Sequence, residues 1–370
     1  MNISRSINNH LKEPDISIDQ HTNRCIKALG QSLRSRRAVY LDMRFWIIIR
    51  DVVRRGTDSA SQIFLELLRK KTNEGLIFCP ISESIFVELM KQSDPASRTM
   101  TANLMDELSL GITLIPEHMR FATEVTHFFR TSLGQTDLLP LEDLVWCKLS
   151  YVFGFLHPSN TPFDESTERA MQKAFFDHMW TIPLTQIIDL LGDTKFPGSY
   201  LNDLANELNA GIAAHADELR SFKQAYMAEV RGAVELAGGI AADTISEIAA
   251  ASGVTLAGPT PEERRRAENN CENLMALVLE KGKAQKQLRT IHILASLHAS
   301  LRWNKGQKFV GNDIYDFHHA TAAIAYCDAF FTEGPLCKMI RQNHLKFGEL
   351  FNCHVTADID EAVAWLEAIK

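Results

Sequence analysis

The chain has 370 residues, 45% apolar and 23% charged, a make-up that fits a globular protein of about two domains. A net charge of −7 argues against a generally basic nucleic-acid binder, and seven cysteines without a CxxC pair argue against a disulfide frame or zinc finger. No apolar run approaches the ~20 residues of a membrane span, and the opening MNISRSINNHLKEPD lacks the apolar core of a secretory signal, so a cytoplasmic protein is expected.

Residues 1–37 are polar and read as an irregular extension with one short helix near HTNRCIKALGQSL. AVYLD (38–42) reads as a buried strand, and IFLELLRKK (63–71) has helical spacing. LIFC (76–79) is a second strand, ISESIFVELMKQ (81–92) a helix capped by Ser82 or Ser84, and GITLI (111–115) a third strand closed by Pro116. Strands alternating with helices predict a parallel sheet covered by helices. From 118 to 305 the patterning is almost wholly helical. The alternation then returns, with helices at 313–326, 335–347 and 359–369 and strands at 328–331 and 353–356. The expected organisation is a discontinuous α/β domain (38–117 and 306–370) interrupted by a helical insertion (118–305).

Ligands of an open parallel sheet bind beyond the C-terminal ends of its strands, so the acids expected there matter. Asp42 follows the first strand, Glu88 sits among apolar residues on the helix after the second, and Asp316 falls in the first turn of the helix at 313. Asp328 opens the next strand, and Thr332 and Glu333 close it. Carboxylates gathered from distant parts of the chain repel one another unless a cation joins them. Hard ions such as Mg²⁺ or Mn²⁺ take such oxygen ligands and activate a water for phosphodiester hydrolysis.

Each residue also has an ordinary structural reading. Asp313 fits a helix N-cap, Glu88 a surface pair with Lys91, and His318 and His319 a packed, hydrogen-bonded pair on an Ala-rich face. Between Lys281 and Asn312 there are seven Lys or Arg and no acid, which fits either a solvated face or a phosphate-binding stretch. No glycine-rich phosphate loop or GxSxG elbow is present. Arg120 and His127 have the spacing of a helical ribonuclease of the HEPN type, although Phe121 follows the arginine where a polar residue is expected.

In order, Asp42 in VYLDMRFW, Glu88 in FVELM and Asp316 in DFHHATAA, with the strand DAFFTEG after it, resemble the PIN domain, a family of metal-dependent nucleases. The resemblance covers about 39–115 and 308–358. It implies a doubly wound parallel sheet of about five strands and an Mg²⁺ or Mn²⁺ ion held by Asp42, Glu88, Asp316 and Glu333. Thr332 and Asp313 would support them. Glu333 stands where the family usually has an aspartate, and Arg44 where it has a small polar residue. The implied activity is endoribonuclease cleavage of single-stranded RNA, with Arg44, Arg302, Trp303, Lys305 and Lys308 holding phosphates and bases. The alternative is a catalytically weak PIN-like module that binds nucleic acid or protein. In either case the insertion offers a surface for a partner protein or a second copy.

Overall fold

Arg37–Leu41 forms the first strand, and Val39, Tyr40 and Leu41 are fully buried, as a run apolar on both faces requires. It pairs in parallel with Ile77–Phe78, Arg37 opposite Ile77 and Ala38 opposite Phe78. The structure is a computed structural model that describes residues 3–370 apart from 57–58, 153, 155–156, 193–199, 215–220, 254–257 and 305–307. Among the described residues the protein is mostly helical, with a small parallel sheet of four strands and a two-stranded antiparallel ribbon.

The strand expected at 111–115 lies in the ribbon. Ile112–Leu114 pairs antiparallel with Trp146–Lys148, a segment that the sequence pattern reads as helix. A single bridge, Ile81 to Thr113, leads from the ribbon toward the end of the second strand. Trp146 packs edge-on against Phe78, with ring centroids 5.1 Å apart, so the ribbon is fastened by an aromatic pair rather than by length.

Packing divides the chain into two units, Met1–Pro116 with Glu142–Phe196 and Thr356–Lys370, and Glu117–Leu141 with Pro197–Val355. These bounds run elsewhere than the sequence-drawn ones: 142–196 of the expected insertion go with the first unit, and 306–355 go with the second. In the first unit, Phe45, Trp46, Ile49, Phe64 and Leu68 are fully buried, each large side chain contributing roughly 2–3 kcal/mol of transfer free energy. Residues after 142 join this core through specific bonds. Asp106 accepts from the amides of Leu184 and Thr185 at 2.7 and 3.0 Å, capping from a distance a helix whose own N-cap, Pro183, has no side-chain acceptor. The N-terminal residues are also more regular than their composition suggests. Ile3–His10 is a helix, and Ile18–Leu33 begins with a Ser17–Gln20 capping box.

The second unit is a helical assembly whose core includes Val125, Phe128, Phe129, Tyr226, Val230, Met275, Leu279, Leu288 and Ile291. It also holds the helix Gly311–Tyr326 and the strand Ala329–Phe331. The helix expected over 335–347 is two short ones, Gly334–Ile340 and Phe347–Phe351, and Lys346 before the second takes a left-handed conformation (φ 55°). The amide of His354, which opens the last strand, donates to the Asp328 carbonyl at 2.8 Å.

Candidate functional site

Asp42 and Glu88 belong to the first unit, and Asp316, Thr332 and Glu333 to the second. Asp42 directly follows the buried first strand and is itself only 6% exposed. It is the N-cap of Met43–Arg55, its Oδ1 accepting from the Phe45 amide at 3.3 Å. The strand-to-helix turn therefore fixes the carboxylate at the C-terminal end of a parallel strand. The Tyr40 hydroxyl meets Ser82 Oγ at 2.6 Å, and Ser82 caps the helix that carries Glu88, accepting from the Ile85 amide. One hydrogen-bonded pair thus ties the strand before Asp42 to the start of the Glu88 helix. Glu88 is half-buried between Val87 and the buried Leu89. Arg44 is exposed, donates to the Ala357 carbonyl at 3.2 Å and lies 5.7 Å from the Phe45 ring.

In the second unit the third motif starts earlier than its sequence suggests. The helix begins at Gly311, so Val310, not Asp313, is the N-cap, and Asp313 reaches back to accept from the Val310 amide at 2.8 Å. Asp316 then lies in the second turn, half-buried, rather than in the first. Thr332 is 1% exposed just after the strand Ala329–Phe331. Glu333 is exposed and occupies the N-cap of Gly334–Ile340 without a side-chain bond to it. His319 is buried, whereas His318 pairs with Glu117 through Nδ1 at 2.6 Å.

The basic stretch is partly committed to the protein itself. Arg302 is ion-paired with Glu229, and Arg289 donates to the Ala325 carbonyl at 2.8 Å while lying 5.2 Å from the Tyr326 ring. Trp303 is 45% exposed and Lys308 is exposed; Lys305 lies outside the described residues. Arg120 is buried, 3.7 Å from Glu117, and His127 donates from Nε2 to the Leu139 carbonyl at 3.0 Å. Both residues of the alternative helical-nuclease pattern thus have structural partners.

Electrostatics single out two carboxylates that sequence spacing does not mark. Burial opposes the Glu117 charge, but the His318 bond, with Arg120 and His298 nearby, outweighs it and holds the carboxyl below its ordinary range. Glu124 is different. Full burial dominates and pushes it up to about 7, against bonds from the Tyr326 hydroxyl, the Thr290 hydroxyl at 2.7 Å and the Thr290 amide at 2.8 Å. A third grouping, His10, His21 and Asp177 in the first unit, brings possible ligand atoms within 4.8 Å of one another. Its members lie 11 and 156 residues apart, a spacing no local motif contains. No protein-family model, curated protein or solved structure matches the chain.

Proposed function

We propose that the chain is a PIN-like, metal-dependent endoribonuclease that hydrolyses phosphodiester bonds of single-stranded RNA in the cytoplasm. On this reading the Ile112–Leu114 strand, reached through the Ile81–Thr113 bridge, is the fifth strand of a doubly wound sheet. The observation that carries it is Asp42: a carboxylate 6% exposed, immediately after a buried parallel strand and at the first turn of the next helix. A buried carboxylate held by an amide at 3.3 Å is favourable when a cation shares it. The donor set of Asp42, Glu88, Asp316 and Glu333 is all oxygen, which fits Mg²⁺ or Mn²⁺ and not a softer metal.

When bound, the ion lowers the pKa of a water and stabilises charge on the phosphoryl oxygens. The chain's part is to hold that centre and its substrate. Asp42, Glu88 and Asp316 supply the ligands, Glu333 a fourth, and Thr332 and Asp313 keep the strand end and the helix start in place. Arg44 and Lys308 contact phosphates, Trp303 stacks on an unpaired base, and Lys305 adds positive charge, while Arg302 joins them only on leaving Glu229. The free state of all seven cysteines accords with a reducing compartment.

A second reading, a weak PIN-like module that binds RNA, a protein or a second copy, draws support from the exposure of Glu333 and the Arg302–Glu229 pair. Calorimetric titration with Mn²⁺ separates the two. The nuclease reading requires binding below millimolar metal that Asp42→Asn removes. Absence of binding leaves the module.

A further inference from the structure

We propose that His10, His21 and Asp177, with Cys25 as fourth ligand, form a structural site for a zinc-class divalent ion that clamps the two N-terminal helices onto the helix Glu165–Met179. The site is independent of the acids considered above. It draws on three separate helices: His10 ends Ile3–His10, His21 and Cys25 lie one turn apart on Ile18–Leu33, and Asp177 sits near the end of the third.

The geometry gathers three of the four ligands around a small centre, their donor atoms within 4.8 Å of one another. His10 Nε2 lies 2.7 Å from Asp177 Oδ2, and His21 Nε2 lies 2.7 Å from Asp177 Oδ1. Ser6 Oγ donates to Asp177 Oδ2 at 2.8 Å, an outer bond of the kind that orients a ligating carboxylate. Cys25 Sγ is 3.8 Å from His21 Nε2. Phe176 packs edge-on against the His21 ring with centroids 5.6 Å apart and limits its rotation. Donors of a tetrahedral zinc site, each ~2.0–2.3 Å from the metal, stand roughly 3.3–3.7 Å from one another. The imidazole nitrogens and the Asp177 oxygens therefore need to part by less than ~1 Å to admit the ion, while Cys25, outside that group of three, has to turn its sulfur toward the centre. The side chains of His10, His21 and Asp177 keep 13%, 13% and 19% of their surface, enough for an ion to enter.

The chemistry of the donors selects the metal. Two imidazoles, one carboxylate and one thiolate match Zn²⁺ or Co²⁺, whereas Mg²⁺ and Ca²⁺ take oxygen alone. Lys173, one turn before Asp177 on the same helix, has Glu13, Arg169 and Arg24 as its charged neighbours. Lys173 is engaged by the Glu13 carbonyl at 2.7 Å, Arg169 by the Pro14 carbonyl at 3.3 Å, and Arg24 by Glu13 at 3.1 Å. The linker between the first two helices is thus already fastened to the third, and the ion completes the clamp. A metal takes its imidazole and thiolate ligands deprotonated, so binding tightens as pH rises.

The test uses the full chain, stripped with chelator and titrated with Co²⁺ alone. The expected result is one equivalent bound, with the visible absorption of a four-coordinate cobalt centre and a thiolate-to-cobalt charge-transfer band. Cys25→Ser should lose that band and keep binding, and His21→Gln should abolish binding at micromolar metal. No uptake, or an unaltered spectrum in a His10→Gln, His21→Gln double variant, overturns the site. Should that variant fold poorly, thermal unfolding of the wild type decides: Zn²⁺ must raise its midpoint, and an unmoved midpoint overturns the site as well.

Discussion

His21 Nε2 and Asp177 Oδ1 stand 2.7 Å apart, joining a helix near the N-terminus to one more than 150 residues later. Burial alone would lower the His21 pKa; the Asp177 bond, with Cys25, reverses this and raises it from 6.5 to about 9. A raised histidine stabilises fully below its unfolded value, and the contribution disappears as pH climbs through the folded one. In the presence of chelator, stability of the first unit should fall between pH 6.5 and about 9, by at most about 3 kcal/mol. Asp177→Asn should lower the acid side and flatten that slope. Urea denaturation across this window provides the check, and a slope unchanged in the variant would assign it elsewhere.

Glu124 gives the second unit a different dependence. Its carboxyl is raised by burial from 4.5 to about 7, so the unfolded chain ionises first and stability declines as pH rises from 4.5 to about 7. Glu124→Gln should remove that decline. Tyr326→Phe deletes the hydroxyl that donates to Glu124, costs about 1–2 kcal/mol, and shifts the Glu124 titration further up. Urea denaturation of the wild type and Glu124→Gln between pH 4.5 and about 7, followed by circular dichroism, provides the check.

Gly30 lies in the helix Ile18–Leu33, where alanine would ordinarily gain about 1 kcal/mol of helix propensity. A Cβ there would stand 2.2 Å from the Asp143 carbonyl oxygen. That backbone cannot easily retreat, because the buried Asp143 carboxylate is held by Arg34. Gly30→Ala should therefore destabilise the first unit by about 1–3 kcal/mol, measured as a lower urea midpoint. A gain in stability would show that the contact yields.

Much of the local structure was legible in the sequence, because it rests on neighbours within a few residues. AVYL announces a strand, Ser82 a cap, and the acid after a buried run announces Asp42 at a strand end. Longer-range features were not legible. WCK became a strand because Trp146 could pack on Phe78, which outweighed the helical pattern around it. The first turn of the third motif shifted by two residues because Asp313 served the Val310 amide from inside the helix. Asp106 caps a helix 78 residues away, and Glu117 reaches His318 across 201. No pattern of period two or 3.6 carries such pairs.

The central claim, metal-dependent cleavage of RNA through Asp42 and Asp316, is tested most directly by charge-neutral substitution. Asparagine caps a helix about as well as aspartate, so Asp42→Asn keeps the bond to Phe45 while weakening the ligand. Wild type, Asp42→Asn and Asp316→Asn should be compared for Mn²⁺-dependent cleavage of an end-labelled single-stranded RNA, with circular dichroism confirming the fold. The account predicts a loss of ~100-fold or more in both variants at unchanged stability. Cleavage by both variants at the wild-type rate would contradict it.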